Sequence, residues 1–214
     1  MKKHPQFILK PSGNYGGHGV SWVEYRKGSN AKKLYDALVE KNKRFICEEP
    51  VIAPEYMKKM YPNSINTVRV LTYYNGTDEP VVVAALLCVG KGGAVVDNFS
   101  SGGIIAELDI DTGIITSNGV DKLNNRYVTH PDTGTQFRGF RIEQWNELLT
   151  LVKRLPPMLP QVRLIGWDIA ASANNGWQII EGNAHPWIEI HQFCRPQGFK
   201  RRLAEVTEWK KYGI

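Results

Sequence analysis

Apolar residues fall mostly in short runs that alternate with turn-forming glycine, asparagine and proline. Runs of this kind, rich in valine, isoleucine and aromatic residues, predict β-strands, among them residues 7–11, 20–25, 44–49, 66–74 and 80–89. Helices are predicted for residues 30–42, 142–154 and 200–211. The pattern therefore predicts an α+β protein in which strands dominate and only a few helices are available to cover them.

Short turns are predicted to join neighbouring strands into hairpins. They are Asn75-Gly76, residues 111–113 and Asn174-Asn175-Gly176. The second turn would pair residues 104–110 with residues 113–117. Residues 121–138 form a long polar connection instead, which is uncommon unless the segment binds something.

The last of these turns brings three oxygen-bearing side chains to one end of a hairpin. Asp168 lies early in the first strand, and Glu181 and Asn183 close the second. Residues two apart in a strand project from the same face. Three oxygen donors, two of them anionic, suit a hard divalent cation such as Mg²⁺. The alternative is a polar strand end with solvated carboxylates.

A glycine-rich loop follows the first predicted strand. The strand ends in Lys10-Pro11, and the loop contains four glycines, Gly13, Gly16, Gly17 and Gly19. Glycines allow backbone N–H groups to face anionic oxygens, and Lys10 adds a positive charge beside them. The spacing matches neither a P-loop nor a dinucleotide-binding fingerprint. A triphosphate-binding loop and a flexible surface loop both fit this segment.

Two domains are predicted, a small one over residues 1–50 and a larger one over residues 51–214. The small domain has the order strand, loop, strand, helix, strand. In the larger one, Arg69 lies mid-strand between two valines, so its side chain faces away from its apolar neighbours. An arginine there either extends to water or binds an anion. Glu107 alternates with two aspartates and predicts a solvated face.

Composition excludes several classes of protein. The chain has 214 residues, 42% hydrophobic and 22% charged, as in ordinary globular domains. No apolar run reaches the roughly 18–20 residues needed to cross a bilayer. The basic N-terminus is not followed by the apolar segment of a signal peptide, so a cytoplasmic location is expected. Nucleic acid is not an expected partner, because no binding motif accompanies the net charge of +6.

The cysteines do not indicate a metal site. Cys47, Cys88 and Cys194 are odd in number and lack the spacing of zinc ligands. Cys47 and Cys88 lie inside apolar segments, which predicts buried, reduced thiols.

Several motifs in a fixed order resemble those of the ATP-grasp superfamily. They are Lys10-Pro11 with the glycine loop, Glu48-Glu49, Arg69, Asp168, and the closing segment from Glu181 to Pro186, which is similar to an E-x-N-x-x-P signature. Within the superfamily, residues 66–69, 97–103, 130–134 and 166–168 resemble the sugar-transfer-associated family. The resemblance implies an ATP-grasp core, in which a small glycine-rich lid subdomain covers a larger, mainly antiparallel sheet subdomain.

The resemblance also implies a role for particular residues. Lys10 would contact the α- and β-phosphates of ATP, and the glycine loop would cover them. Cys47, Glu48 and Glu49 would hold the adenine, with Glu55 at the ribose. Asp168, Glu181 and Asn183 would hold Mg²⁺. Arg69, with Lys10, would stabilise the transferring phosphoryl group, and Asn98 with Gly102-Gly103 would line the acceptor side.

The implied activity is an ATP-dependent ligation. A small carboxylate substrate would be phosphorylated by ATP, and an amine or thiol would then displace phosphate. Substrates linked to sugars, in cell-surface polysaccharide or peptide-like metabolite synthesis, are expected. Because only six residues precede residue 7, three alternatives are open for the usual N-terminal domain of the superfamily: the chain is a fragment, the domain is supplied by a partner chain, or it has been lost. The alternative is a non-catalytic ATP-binding module.

Three histidines have no role assigned from the sequence. His18 lies within the glycine loop and is interpreted as an ordinary loop residue. His130 and His191 fit either contact with substrate or a structural, hydrogen-bonded position.

Overall fold

The computed structural model describes residues 4–13, 16–195 and 198–207. The chain divides into two compact units, Met1–Ile52 and Ala53–Ile214. The roles of lid and catalytic subdomain that the sequence suggests for the two parts of the chain stay predictions.

The first unit is a three-stranded antiparallel sheet with one helix. Its elements are β1 (Gln6–Pro11), β2 (Ser21–Glu24), α1 (Ala31–Asn42) and β3 (Phe45–Glu48). The strand order is β2-β1-β3. Asn30 caps α1, because its side-chain Oδ1 accepts a hydrogen bond from the Lys33 backbone N–H at 3.1 Å. Alternation along β1 buries Phe7 and Leu9 and leaves Ile8 and Lys10 on the opposite face.

The second unit is built on a seven-stranded sheet. Its strands are β4 (Val68–Tyr73), β5 (Val81–Val89), β6 (Ile104–Leu108), β7 (Gly119–Asp121), β8 (Arg126–Tyr127), β9 (Leu164–Ser172) and β10 (Gly176–Asn183). Its helices are α2 (Glu55–Met60), α3 (Trp145–Arg154), α4 (Ile190–Cys194) and α5 (Lys200–Val206). All strand pairs are antiparallel, in the order β10-β9-β4-β5-β6-β7-β8.

Both faces of this sheet are packed, but by different helices. On one face, Val68 and Ile169 join α2 and α3 in the largest apolar core. On the other face, Leu86 packs with Ile190 and Cys194 of α4. Farther along that face, α5 packs over the neighbouring ends of β4 and β5. Arg69 alternates with Val68, so it belongs to the face that carries α4 and α5.

The hairpins β4–β5 and β9–β10 confirm two of the predicted turns. The hairpin predicted around the turn at residues 111–113 is wrong in part. Its returning segment, residues 113–117, forms only isolated bridges, among them Leu108↔Ile115. The backbone N–H of Ile115 donates to Phe140, and that of Ile142 donates to Gly113. The returning segment is therefore shared between β6 and residues 139–142 and completes no ladder with either.

Other predicted segments also differ from the structure. Residues 121–138 are not wholly irregular, since β7 ends and β8 lies within them. The helix predicted from residue 142 begins at Trp145, because Gln144 adopts a left-handed backbone conformation with φ of 53°. The last helix ends at Val206, and the part predicted for residues 208–211 lies outside the described residues. Cys88 is buried, but Cys47 is exposed, because β3 is an edge strand of a small sheet.

His130 has a structural position. Its Nε2–H donates to the Gly90 carbonyl at 2.8 Å, and its Nδ1 accepts from the Asp132 N–H at 3.2 Å. The ring is fully buried and stacks on Tyr61, with ring centroids 5.0 Å apart. Both nitrogens are engaged within the protein, which favours the structural alternative for this residue.

A buried ion pair joins the end of β7 to the loop after β5. Asp121, which is 2% exposed, accepts from Lys91 Nζ at 2.6 Å, from Tyr127 Oη at 2.9 Å and from Asn125 Nδ2 at 3.0 Å. Burial opposes ionisation of Asp121, but these hydrogen bonds outweigh it and lower its pKa. The carboxylate therefore stabilises the folded chain at neutral pH.

Replacing Asp121 by Asn is expected to destabilise the fold by about 2 kcal/mol, because it leaves the Lys91 ammonium without its charged partner. Because the pKa of Asp121 is lowered on folding, the wild type should lose this contribution as the pH falls below the ordinary aspartate value of about 4. Urea unfolding at pH 7 and at pH 3 measures both effects. Equal stability of the two proteins at pH 7 would contradict the assignment. The exposed Asp132→Asn serves as control.

No helix among residues 4–13, 16–195 and 198–207 has both the length and the apolar character needed to span a membrane.

Candidate functional site

Five neighbouring strands place one row of side chains across the second unit's sheet. The register aligns Glu181, Asp168, Arg69, Leu86 and Glu107, from β10 through β9, β4 and β5 to β6. A β-bulge between Ile179 and Glu181 shifts the end of β10 and brings Glu181 opposite Asp168. The row carries three carboxylates and one guanidinium, on the same face as α4 and α5.

The three predicted metal ligands lie together at one end of this row. Asn183 Nδ2 is 3.2 Å from Glu181 Oε1 and 3.5 Å from Asp168 Oδ2. Burial raises the pKa of Glu181, and the neighbouring carboxylate of Asp168 raises it further. A cation placed between the two carboxylates would offset the effect of Asp168 on Glu181.

Arg69 occupies both oxygens of Asp168. Its Nε donates to Oδ1 at 2.6 Å and its Nη2 to Oδ2 at 2.5 Å, in a bidentate pair. The side chains are only 19% and 9% exposed. Of the two alternatives for Arg69, the structure supports contact with an anion, and that anion is a side chain of the site itself.

The donor set fits a hard divalent cation. It contains two carboxylates and one amide, and the described residues contain no group of three or more histidine, cysteine, aspartate or glutamate side chains that could hold a metal instead. Asn183 directs its Nδ2 at the carboxylates, so liganding through Oδ1 requires its amide to rotate by half a turn. Arg69 would then share Asp168 with the cation, as oxygen ligands with free lone pairs allow.

Two glycines allow close packing near the end of β10, beside the three predicted metal ligands (hereafter the triad). A Cβ added to Gly182 would lie 2.6 Å from the Trp167 ring, and one added to Gly166 would lie 2.9 Å from Pro186 Cβ. The chain after Asn183 therefore folds directly over β9. This close approach holds the Asn183 backbone opposite Gly166, from where its side chain reaches Asp168.

Asn98 lies in a tight loop next to the start of β4. The preceding residue, Asp97, is buried and accepts from the Thr67 N–H at 2.6 Å, two residues before Arg69. Burial raises the pKa of Asp97. Gly103 closes the loop, since its N–H donates to Asn98 O and an added Cβ would lie 2.4 Å from Asp97 O. The loop thus anchors Asn98 next to β4.

A second arginine pairs with the far end of the row. Arg195 forms an ion pair with Glu107, whose side chain is only 17% exposed. The expectation of a solvated face at Glu107 is therefore wrong. Burial raises the pKa of Glu107 despite the opposing charge of Arg195. The sequence analysis missed Arg195, because α4 is too short for its spacing to be read as a helix.

His191, in α4, is also on this face. It is 3% exposed and its ring stacks on Phe199, with centroids 5.0 Å apart. Its pKa is lowered to about 3 by burial and by the charges of Arg195 and Arg69. The residue is therefore neutral at physiological pH.

The residues predicted to contact the nucleotide divide between the two units. In the first unit, Lys10 Nζ is 2.5 Å from Glu48 Oε2, and Glu49 pairs with His4. Gly13, Gly16, Gly17 and Gly19 all have positive φ, a conformation that glycine adopts readily. His18 is exposed in the same loop, and Cys47 lies in β3 beside Glu48.

Lys10 shares its sheet face with exposed apolar side chains. Trp22 is paired with Ile8, and Ile46 is paired with Lys10, and both Trp22 and Ile46 are about half exposed. An apolar surface beside a lysine suits a flat, phosphate-bearing ligand. Sequence analysis missed Trp22 and Ile46, although strand alternation would have placed them on this face.

Glu55, in the second unit, is not part of the charged row. It lies at the start of α2, where it pairs with Lys58 at 2.7 Å. The buried residues of α2 pack on the sheet face opposite Arg69. Its role at a ribose stays a prediction.

Comparison with known proteins gives one family match. A family model described as sugar-transfer associated ATP-grasp matches residues 1–208. No functionally curated protein matches the sequence.

Solved structures of low identity are similar to the chain. The ADP complex of purK, an N5-carboxyaminoimidazole ribonucleotide synthetase, is 14% identical with a TM-score of 0.46 over 85% of this chain and 35% of its own. The biotin carboxylase domain of Hydrogenobacter thermophilus 2-oxoglutarate carboxylase, with MgADP, ADP and bicarbonate, is 13% identical with a TM-score of 0.48 over 88% of this chain and 33% of its own. The ATP-grasp ligase PsnB with its minimal precursor is 16% identical with a TM-score of 0.45 over 96% of this chain and 50% of its own. The chain thus spans a third to a half of their lengths.

Proposed function

The chain belongs to the sugar-transfer associated ATP-grasp family, and we propose that it is an ATP- and Mg²⁺-dependent ligase that joins a carboxylate to an amine or thiol. The observation that carries this proposal is the convergence of Asp168, Glu181 and Asn183 beside Arg69 on one sheet face. Phosphoryl transfer needs positioned positive charge more than covalent help from the protein. The row supplies both the ligands for a cation and the guanidinium of Arg69.

The proposed reaction has two steps. A substrate carboxylate oxygen attacks the γ-phosphorus of ATP, the bond to the β,γ-bridging oxygen breaks, and an acyl-phosphate and ADP result. An amine or thiol then attacks the acyl carbon, inorganic phosphate leaves with the bonding electron pair, and the nucleophile loses its proton. Water must be excluded between the steps, because the acyl-phosphate hydrolyses readily.

Several site residues have a proposed role in this reaction. Asp168, Glu181 and Asn183 would hold Mg²⁺, which would neutralise phosphate oxygens when bound. Arg69 orients Asp168 through the bidentate pair and adds positive charge where the phosphoryl group transfers. Lys10 would bind the phosphates, and Asn98 would lie on the acceptor side.

The glycine loop is proposed to donate to the phosphates through its backbone. Gly16, Gly17 and Gly19 have positive φ values, a conformation found in loops whose backbone N–H groups bind anions. Adenine would lie against β3, near Cys47, Glu48 and Glu49, on the face that exposes Trp22 and Ile46. Binding there would be mainly apolar, with polar groups at the edge.

The setting of the reaction is also proposed. The family's description associates it with sugar transfer, which favours a sugar-linked acid or amine in polysaccharide or peptide-like metabolite synthesis. A cytoplasmic location fits, since ATP is available there. A partner chain that contributes to the acceptor site is part of the proposal.

ADP release tests the proposed function. The protein is incubated with ATP, Mg²⁺ and a panel of carboxylates, each with and without an amine, and ADP is measured by a coupled assay. We expect release that depends on both a carboxylate and Mg²⁺. Tight Mg-ATP binding without any acceptor-dependent release, also with products of neighbouring genes added, would favour the non-catalytic module. Failure to bind Mg-ATP would contradict both.

A further inference from the structure

The charged row continues beyond the proposed metal ligands, and the mechanism above does not use its far end. Glu107 lies two strands from Arg69, and Arg195 reaches it from the end of α4. Adjacent strands are about 4.8 Å apart, so the two backbone positions are separated by roughly 10 Å. The two ion pairs of the row, Arg69–Asp168 and Arg195–Glu107, therefore lie on one sheet face but in separate positions.

Among the described residues, none forms a hydrogen bond with the ring of His191, which lies on this face. Neither ring nitrogen has a hydrogen bond within the described part of the chain, although the residue is only 3% exposed. No fully enclosed side-chain nitrogen there lacks a partner, so the nitrogens of His191 must reach accessible space. A buried polar group that is open on one side and unpaired is expected to serve a ligand.

The charges near His191 indicate the chemistry of that ligand. Arg195 and Arg69 both act on the ring, and Arg195 lies over Phe199, on which His191 stacks. A guanidinium carries five N–H donors, so the pair with Glu107 leaves donors available. The Arg195 side chain is 29% exposed and therefore reachable. A neutral histidine beside an accessible guanidinium suits an oxyanion.

We propose that Arg195 and His191 form a second anion subsite, which binds a carboxylate or phosphate group of the acid substrate on the same sheet face as its reacting carboxylate. This inference rests on the proposed function, because that function identifies the reacting end at Arg69. It assigns the substrate to acids with two negative groups. Glu107 positions Arg195 and does not contact the substrate.

Histidine NMR tests this subsite in the full-length protein. The His191 ring signals are assigned through the backbone and followed during titration with succinate, with inorganic phosphate and with the neutral succinamide. We expect saturable shifts with succinate or phosphate, the stronger of the two identifying the anionic group, and a much weaker response to succinamide, which carries no anionic group. Absence of a saturable shift with both dianions would overturn the proposal.

Matched arginine variants separate the subsite from general charge effects. Arg195→Met should weaken binding of the dianion about tenfold, which corresponds to one lost charge-assisted hydrogen bond. Arg201→Met, on the exposed surface of α5, should leave binding unchanged. If Arg195→Met does not fold, Arg195→Lys should weaken binding to an intermediate degree, because it keeps the charge and loses the planar fork. Equal binding by wild type and a folded Arg195 variant would refute the assignment.

MgADP binding is measured on the same samples. It should be unchanged in the Arg195 variants, because the triad is untouched. If the wild type does not bind MgADP, the proposed function is refuted. If it binds MgADP but its His191 signals do not shift with either anion, the second subsite alone is refuted.

Discussion

Glu181→Gln is expected to reduce ADP release roughly 100-fold or more, with no loss of stability. Gln keeps the shape of the side chain and removes the anionic oxygen that would hold Mg²⁺. Because the pKa of Glu181 is raised on folding, its ionised form costs stability above the ordinary glutamate pKa. The variant should therefore be as stable as the wild type at pH 7, or slightly more stable.

Steady-state ADP release and urea unfolding of the same preparation measure the two effects. Glu147→Gln, on the exposed face of α3, is the control and should change neither quantity. An active Glu181→Gln protein would show that this carboxylate does not hold the cation. A large loss of stability would show that Glu181 is structural.

Arg69→Met should destabilise the second unit by about 3–5 kcal/mol, because it leaves the Asp168 carboxylate buried without its partner. Asp168 is 6% exposed, so water cannot replace the guanidinium. Chemical denaturation of the wild type and the variant gives this difference directly. A loss below about 1 kcal/mol would mean that the pair behaves like an exposed one.

The double variant Arg69→Met/Asp168→Leu distinguishes stability from function. Replacing both partners by apolar side chains should restore most of the stability lost in Arg69→Met, because no buried charge remains. The same protein should not bind MgADP, since a proposed metal ligand is gone. Recovery of MgADP binding together with stability would separate nucleotide binding from this pair.

The sequence could predict the site where local pattern determines it. The Asn174-Asn175-Gly176 turn sets the pairing of β9 with β10, and alternation along β4 turns Arg69 away from its valine neighbours. Arg69 and Asp168 are then direct cross-strand neighbours, but only the order β9-β4 makes them so. The sequence does not state that order, and the ion pair was therefore not foreseen.

Long-range packing explains what the sequence could not predict. Arg195 reaches Glu107 because α4 folds back over β5 and β6, and a five-residue helix has no readable period. Residues 113–117 looked like the partner strand of β6, but residues 139–142 compete for their backbone groups. Cys47 lies in an apolar run, yet its strand is at the edge of a sheet too small to bury both faces.

The most direct test of the site is a crystal grown with ADP and Mn²⁺, in which Mn²⁺ replaces Mg²⁺ and gives an anomalous signal. We expect a peak about 2.0–2.2 Å from carboxylate oxygens of Asp168 and Glu181, with Asn183 Oδ1 turned towards it. A peak at another acidic cluster, such as Asp109 and Asp111, or no peak beside Asp168 with ADP bound, would contradict it.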